Sequence, residues 1–228
     1  MHTGICGQIT PPRLGGKNYF MLIVDDHSPY MWIELLSNKS EALACFKKFR
    51  AVAELESGKR LNALRTDCGG EFNSEAFVVF CTEHGIKHNT TTSYTLQQNR
   101  VVEQRNQTVV EMARYLLKRM SVPSKFWGEV VRIVVFILNR SPTKSLQGKT
   151  PFEAWFGRKL GVKHLRTFGC IAYAKAIGLR VSKLTDRVVA GVILGYELGT
   201  KGYRIYDPVN DKLMITRDVM FDESKQWN

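Results

Sequence analysis

The chain has 228 residues, room for one large domain or two small ones, and its 44% hydrophobic and 24% charged content is that of an ordinary folded protein. Lysine plus arginine exceed aspartate plus glutamate by 33 to 21, a formal net charge of +12, which favours a polyanionic partner, although such charge also serves plain solubility. No apolar run approaches the roughly 18 residues of a membrane span, and the N-terminus lacks a signal peptide's apolar segment, so no membrane partner is expected.

The first elements read as a meander of three strands. An opening strand from His2 to Ile9 is followed by a Gly15-Gly16 turn and an apolar strand over residues 18–24. His27-Ser28-Pro29 turns the chain again into an extended run, Tyr30 to Leu36, rich in aromatic and β-branched residues. Asn38-x-x-Glu41 resembles a capping box, and Ala42, Cys45, Phe46, Phe49, Val52 and Ala53 then recur at helical spacing until Ser57-Gly58.

A short apolar run, Leu61 to Leu64, predicts the next strand, which leads into Asp67 and is broken by Gly69-Gly70. Ser74 is placed to cap a helix carrying Phe77, Phe80 and Cys81, which Gly85 ends; Ile86 to Thr90 reads as a strand. Thr91 to Asn99 is polar and aperiodic and reads as a mobile loop beside the site. From Val101 to Met120 the pattern is helical. Val102, Val109, Ala113, Leu116 and Met120 form an apolar stripe, and Glu103, Gln107, Glu111, Arg114 and Lys118 a polar one.

Asp67 at a strand end and Glu103 on the facing helix are separated by 35 residues. Carboxylates so placed can share hard divalent cations, and a pair of such ions activates an attacking oxygen and stabilises a leaving one in phosphoryl transfer. An Asp–Glu pair alone arises often by accident. The five cysteines (Cys6, Cys45, Cys68, Cys81, Cys170) are scattered without a C-x-x-C pair and read as reduced thiols of an intracellular protein. His84 and His88 have zinc-like spacing but no cysteine pair to complete a site, and Gly85 between them is a helix stop, so both read as structural.

The surrounding residues carry more. Thr66-Asp67-Cys68-Gly69-Gly70-Glu71-Phe72, then HGIKHNTTTSYTLQQNRVVEQRNQTVVEMAR, resembles the core of a copia-type retrotransposon integrase, in which these segments read approximately [ST]DNGGEF, YTPQQNG and VxERxNxT. The resemblance runs from His2 to the last residues. It implies a ribonuclease-H-like α/β core, a mixed sheet flanked by helices, that cuts and joins DNA ends with Mg²⁺ or Mn²⁺. Asp67 and Glu103 match the second and third family carboxylates, and Asn106 matches a family asparagine expected to orient Glu103.

The first carboxylate is absent. The family strand reads HTDICGPI; here it is His2-Thr3-Gly4-Ile5-Cys6-Gly7-Gln8-Ile9, so Gly4 stands at the metal-ligand position and Gln8 replaces a proline. Asp25 and Asp26 are the substitutes that spacing alone would select, but they sit at the exit of the strand over 18–24 and match family residues that are not the ligand. Leu96 and Arg100 replace a family proline and glycine; Arg100 either strains the loop or adds a positive charge.

Pro123-Ser124 opens a further helix with Trp127, Val130, Val131, Val134, Ile137 and Leu138, ended by Asn139-Arg140-Ser141-Pro142. Thr150-Pro151-Phe152-Glu153 is a helix-start signal, and Gly157 closes that short helix. Both match family blocks that follow the catalytic core. Between Arg158 and Arg187 eight Lys or Arg residues face one acid, Asp186. Thereafter FGCIAYA, VVAGVILGYE, GYRIYDP and KLMITRDVMF predict about five short strands of a small barrel, similar to the SH3-like domain that follows the core in copia-type polyproteins. Tyr196, Tyr203 and Tyr206 read either as base-stacking groups or as cross-strand packing, with packing favoured.

The expected division is a catalytic core over 1–120, a helical extension over 121–165 and an SH3-like β domain over 166–224, the last separable from the core. The expected function is that of a retrotransposon integrase fragment with DNA as partner, a homo-multimer in its family, acting in the nucleus or a virus-like particle, with catalysis impaired by Gly4. The other reading is an inactive DNA-binding remnant. Arg100, Lys118, Arg158, Lys159, Lys163 and Arg166 are the candidate DNA contacts.

Overall fold

The computed structural model describes residues 1–11, 15–90, 100–159, 161–175, 188–197 and 199–227. The Thr91–Asn99 segment, with Leu96, and the side chain of Arg100 lie outside the described residues. The chain forms two compact units, Met1–Val110 with Val135–Leu160, and Glu111–Val134 with Gly161–Asn228. The segment read from the sequence as a helical extension is thus shared between them.

The first unit is built on a five-stranded sheet in the order β3-β2-β1-β4-β5. Its strands are β1 (His2–Cys6), β2 (Tyr19–Val24), β3 (Met31–Leu36), β4 (Ala63–Thr66) and β5 (Lys87–Thr90). The pairings β1–β2 and β2–β3 are antiparallel, whereas β1–β4 and β4–β5 are parallel. The predicted meander is therefore present, and the two parallel strands each follow a helix, as a crossover requires.

Those helices are α1 (Ala42–Ser57) and α2 (Glu75–Glu83). Strand alternation sends Met21, Ile23 and Leu64 to one face, where they pack with Phe46, Phe72 and Phe77. Phe20, Leu22 and Val24 take the other face and are equally buried. On that second face lies the start of α3 (Arg100–Arg119), whose Val102 meets Gly4. Burial on both faces explains why β2 reads as an unbroken apolar run.

Local signals hold in part. Gly58 and Gly157 close α1 and α5 (Pro151–Phe156) in the left-handed conformation. Thr150 forms a full capping box: Glu153 N donates to Thr150 Oγ1 at 3.1 Å and Thr150 N donates to Glu153 Oε2 at 2.9 Å. Asn38 forms no such box. Its expected partner Glu41 accepts instead from Ser37 N at 3.3 Å and from Lys17 Nζ at 3.0 Å. Ser74 starts α2 without capping it, its hydroxyl donating to Glu71 O at 3.2 Å.

One clamp has no local sequence signal. α4 (Trp127–Leu138) ends at Asn139, which is buried. Its Nδ2 donates to Met31 O at 2.7 Å and its Oδ1 accepts from Met31 N at 2.8 Å, so the carboxamide satisfies the outer backbone groups of the first β3 residue. On either side, Tyr30 stacks on Trp155 of α5 and Trp32 packs edge-on against it.

The second unit holds an antiparallel sheet in the order β10-β6-β7-β8-β9. Its strands are β6 (Cys170–Lys175), β7 (Val188–Tyr196), β8 (Tyr203–Asp207), β9 (Lys212–Thr216) and β10 (Val219–Gln226). Within this unit, residues from 111–134 pack on the sheet: Phe126 meets Tyr206 edge-on, with centroids 4.6 Å apart. Glu129, nearly fully buried, accepts from Arg204 Nε at 2.8 Å and Nη2 at 3.1 Å, while Arg204 Nη1 donates to Glu197 at 2.6 Å. The three tyrosines are packing groups: Tyr196 and Tyr203 donate to the carbonyls of Arg166 and His164, and Tyr206 is buried and bonded to Asp211.

Candidate active site

β1 and β4 run parallel with His2 opposite Arg65. Two residues further along the same register, Gly4 comes level with Asp67 and shares its face of the sheet. A β-carbon on Gly4 would stand 3.4 Å from Val102 Cγ1 and 3.6 Å from Asn106 Nδ2, both ordinary contacts. The first turns of α3 therefore cover this position, and Glu103 of the same helix is exposed. Asn106 Oδ1 is buried without a hydrogen-bond partner. The amide thus faces Gly4.

Asp67 is half-buried, and Gly69 N donates to its Oδ1 at 3.0 Å. Burial raises its pKa, the Gly69 bond counters this, and neighbouring Glu71 adds to the rise. Glu71 is itself largely covered and lies 3.6 Å from Lys39 Nζ. Gly69 is squeezed between the two acids: a β-carbon there would meet Glu71 at 2.8 Å and Asp67 Oδ1 at 2.9 Å. A side chain at Gly69 would therefore displace these two carboxylates, although its backbone angles are ordinary. Sequence reasoning had assigned Glu71 no role; its place two residues after that glycine was the available signal.

Asp25 and Asp26 are elsewhere. Val24 pairs with His2, so both acids follow the strand past the N-terminal end of β1. At about 3.3 Å per residue, Asp25 lies on the order of 10 Å along the strand from the level of Gly4. Asp25 Oδ2 accepts from Ser28 N at 2.8 Å and Ser28 Oγ at 2.7 Å, closing the turn into β3. Asp26 is bonded by His2 Nε2, which holds its carboxyl well below the usual carboxylate range.

The histidines are structural. His88 Nε2 bonds Thr66 Oγ1 at 3.0 Å and its ring lies on Phe77, while His84 Nδ1 bonds Phe80 O at 2.8 Å. Among the described residues no three His, Cys, Asp or Glu side chains are grouped to hold a metal ion. Of the three carboxylate positions that the resemblance implies, two hold Asp67 and Glu103 and the other holds Gly4, which has no side-chain oxygen to offer a metal ion.

The five polar-stripe residues of α3, Glu103, Gln107, Glu111, Arg114 and Lys118, are all exposed. Arg158 and Lys159 are exposed in the first unit, and Lys118 and Lys163 in the second. Arg166 is more committed. Its Nη1 donates to Lys163 O at 3.0 Å and Leu165 O at 2.8 Å, and its guanidinium lies over Phe221. No helix among the described residues is long and apolar enough to cross a membrane.

The fold is that of an integrase core followed by a small β domain. Residues 2–95 match the Integrase core domain family and residues 170–228 match the Retroviral polymerase SH3-like domain. Residues 2–95 thus belong to the integrase-core family, and the SH3-like domain follows them in the chain. The chain is similar to the Retrovirus-related Pol polyprotein from transposon TNT 1-94 of Nicotiana tabacum, with 37% identity over 225 residues, 99% of this chain and 17% of that protein. Similar proteins from transposons RE1 and RE2 of Arabidopsis thaliana show 32% and 31% identity over 93% and 90% of this chain, and 14% of each relative. The chain thus spans less than a fifth of these relatives.

Proposed function

We propose that this chain is the DNA-handling integrase segment of a retrotransposon Pol-type protein, with its metal-dependent phosphoryl transfer impaired by Gly4. The observation that supports the reading is the register that brings Gly4 level with Asp67, with Asn106 over Gly4. Asp67 and Glu103 are the carboxylates retained for Mg²⁺ or Mn²⁺, and Asn106 is the positioning residue for Glu103. Glycine offers no anionic oxygen to complete the set. The chain acts on retroelement ends and target DNA as a homo-multimer, in the nucleus or a virus-like particle. Its segments 1–120 and 166–224 are read as core and β domain, and 121–165 as an extension that the two compact units share.

The test compares Mn²⁺-dependent nicking and strand transfer by the parent, Gly4→Asp, Gly4→Asp with Glu103→Gln, and Asp25→Asn. Negligible parent activity, gained with Gly4→Asp and lost again with Glu103→Gln, is the expected result. An active parent silenced by Asp25→Asn overturns it. The other reading, an inactive DNA-binding remnant, is favoured if Gly4→Asp gains nothing while DNA binding persists. That binding is expected to be non-specific and salt-sensitive: neutralising about six phosphates lowers affinity roughly a thousandfold between about 50 and about 200 mM salt. Arg100, Lys118, Arg158, Lys159, Lys163 and Arg166 are the residues to neutralise, Arg166 with the smallest expected effect because its guanidinium is already engaged.

A further inference from the structure

The parallel half of the first unit's sheet is closed on one face and open on the other, whereas parallel strands ordinarily have both faces covered. On the first face Leu64 and Thr66 are fully buried, and Thr66 is bonded to His88, whose ring lies on Phe77. On the second face the start of α3 covers Gly4 of β1. Beside it, β4 and β5 present Ala63, Arg65, Lys87 and Asn89. Arg65 and Lys87 are exposed, and Ala63 and Asn89 are half-buried.

Strand alternation puts these four side chains on the face that carries Asp67. Ala63 pairs with Lys87 and Arg65 with Asn89, so the two cations stand on a diagonal behind Asp67. At about 3.3 Å per residue, Arg65 is about 7 Å from the level of Asp67 along β4, and Lys87 about twice as far, one strand over. Elsewhere in this unit Lys17, Lys39 and Arg50 are paired with Glu41, Glu71 and Glu54. Arg65 and Lys87 have no acidic partner among the described residues. Arg65 lies mid-sheet between β1 and β5, where a covering helix would call for an apolar side chain. An open strip with unpaired cations suits a polyanion instead, and one nucleic-acid backbone repeats its charges along a line as this strip does.

We propose that Lys87 and Arg65 form a phosphate track that leads one DNA strand along β4 to Asp67, with Arg65 the positioning residue nearest the reacting phosphodiester. Arginine suits that place because its planar fork meets two phosphate oxygens at once. The track rests on the DNA reading above and gives it residues and a direction. It does not depend on Gly4 or on metal.

The experiment titrates a labelled duplex with the full chain, free of metal, at several salt concentrations, with unfolding temperatures recorded in parallel. The variants are Arg65→Gln, Lys87→Gln, both together, Arg65→Lys and, as a control, Lys48→Gln on the exposed side of α1 across the sheet. The slope of log affinity against log salt should fall in magnitude by about 0.9 for each single Gln variant of the track and by about twice that for the pair. It should hold in Arg65→Lys, which keeps the charge, and in the control. Arg65 and Lys87 are exposed, so their Gln variants should unfold at the parent's temperature. Asp67→Asn removes a charge that repels the arriving phosphate, so it should tighten metal-free binding in the parent and do so less in the Arg65→Gln chain. A parent that binds while its slope is unchanged in both Gln variants, or falls as much in Arg65→Lys or in the control, overturns the track and leaves the DNA reading standing. Equal tightening by Asp67→Asn in both backgrounds overturns the path to Asp67. A parent that binds no duplex at any salt concentration defeats the DNA reading and the track with it.

Discussion

Asn106 Nδ2 lies 3.6 Å from the place a β-carbon on Gly4 would take. An aspartate at position 4 would bring its carboxylate within reach of that amide, on a strand already held on both sides by β2 and β4. Gly4→Asp is therefore expected to fold. It should lose some stability without metal, because the added charge is covered, and recover it with Mn²⁺. Thermal unfolding with and without Mn²⁺ measures this: the variant should gain stability on addition and the parent should not. Asn106→Ala in the Gly4→Asp chain should then weaken Mn²⁺ affinity about 10- to 100-fold.

Asp67 has a raised pKa, chiefly from burial. The folded chain thus binds its proton more tightly than the unfolded chain does. The cost of the charged form is present at neutral pH and disappears as pH falls below the folded pKa and then the ordinary aspartate value. Asp67→Asn should therefore raise the unfolding temperature near pH 7, with the difference shrinking in acid. Its carboxamide oxygen can still accept from Gly69 N. A variant less stable than the parent at pH 7 would contradict this.

In the second unit, Arg204 joins buried Glu129 to Glu197. Arg204→Met leaves Glu129 charged and buried without its cation, which costs about 3–5 kcal/mol in cases of this kind. Replacing Arg204 and Glu129 together by apolar residues should restore much of that loss. Denaturant unfolding of the single and double variants gives the coupling directly.

These particulars divide what the sequence made legible from what it did not. The strand and helix order followed from apolar periodicity and from glycine and proline stops, whereas the roles proposed for Asp67, Glu103 and Gly4 rest on motifs. The orientation of Asn106 did not, because helix spacing gives a residue's face without showing what stands opposite. The Glu129–Arg204 pair spans 75 residues, and no local pattern announces it. Asn38 and Glu41 show the converse failure, a local signal overridden when Lys17 and Ser37 reached the glutamate first. The β strands of the second unit were legible as strands, but their dependence on Phe126 and Glu129 was not.

The carboxamide of Asn139 and the backbone of Met31 meet across 108 residues of sequence. Losing that side chain by Asn139→Ala would leave a buried donor and acceptor unpaired, at about 1–3 kcal/mol for each. The separation also says when the bond forms. Contacts this distant close only after the intervening chain has been ordered, since the entropy of closing the loop comes before any gain. The hairpin of β2 and β3 and the helices can form earlier without it. Asn139→Ala should therefore speed unfolding by nearly the whole stability change and leave the folding rate almost untouched, a shift confined to the unfolding arm of the chevron. Asn139 would act as a latch on the finished core, governing how long it stays closed rather than how fast it is made.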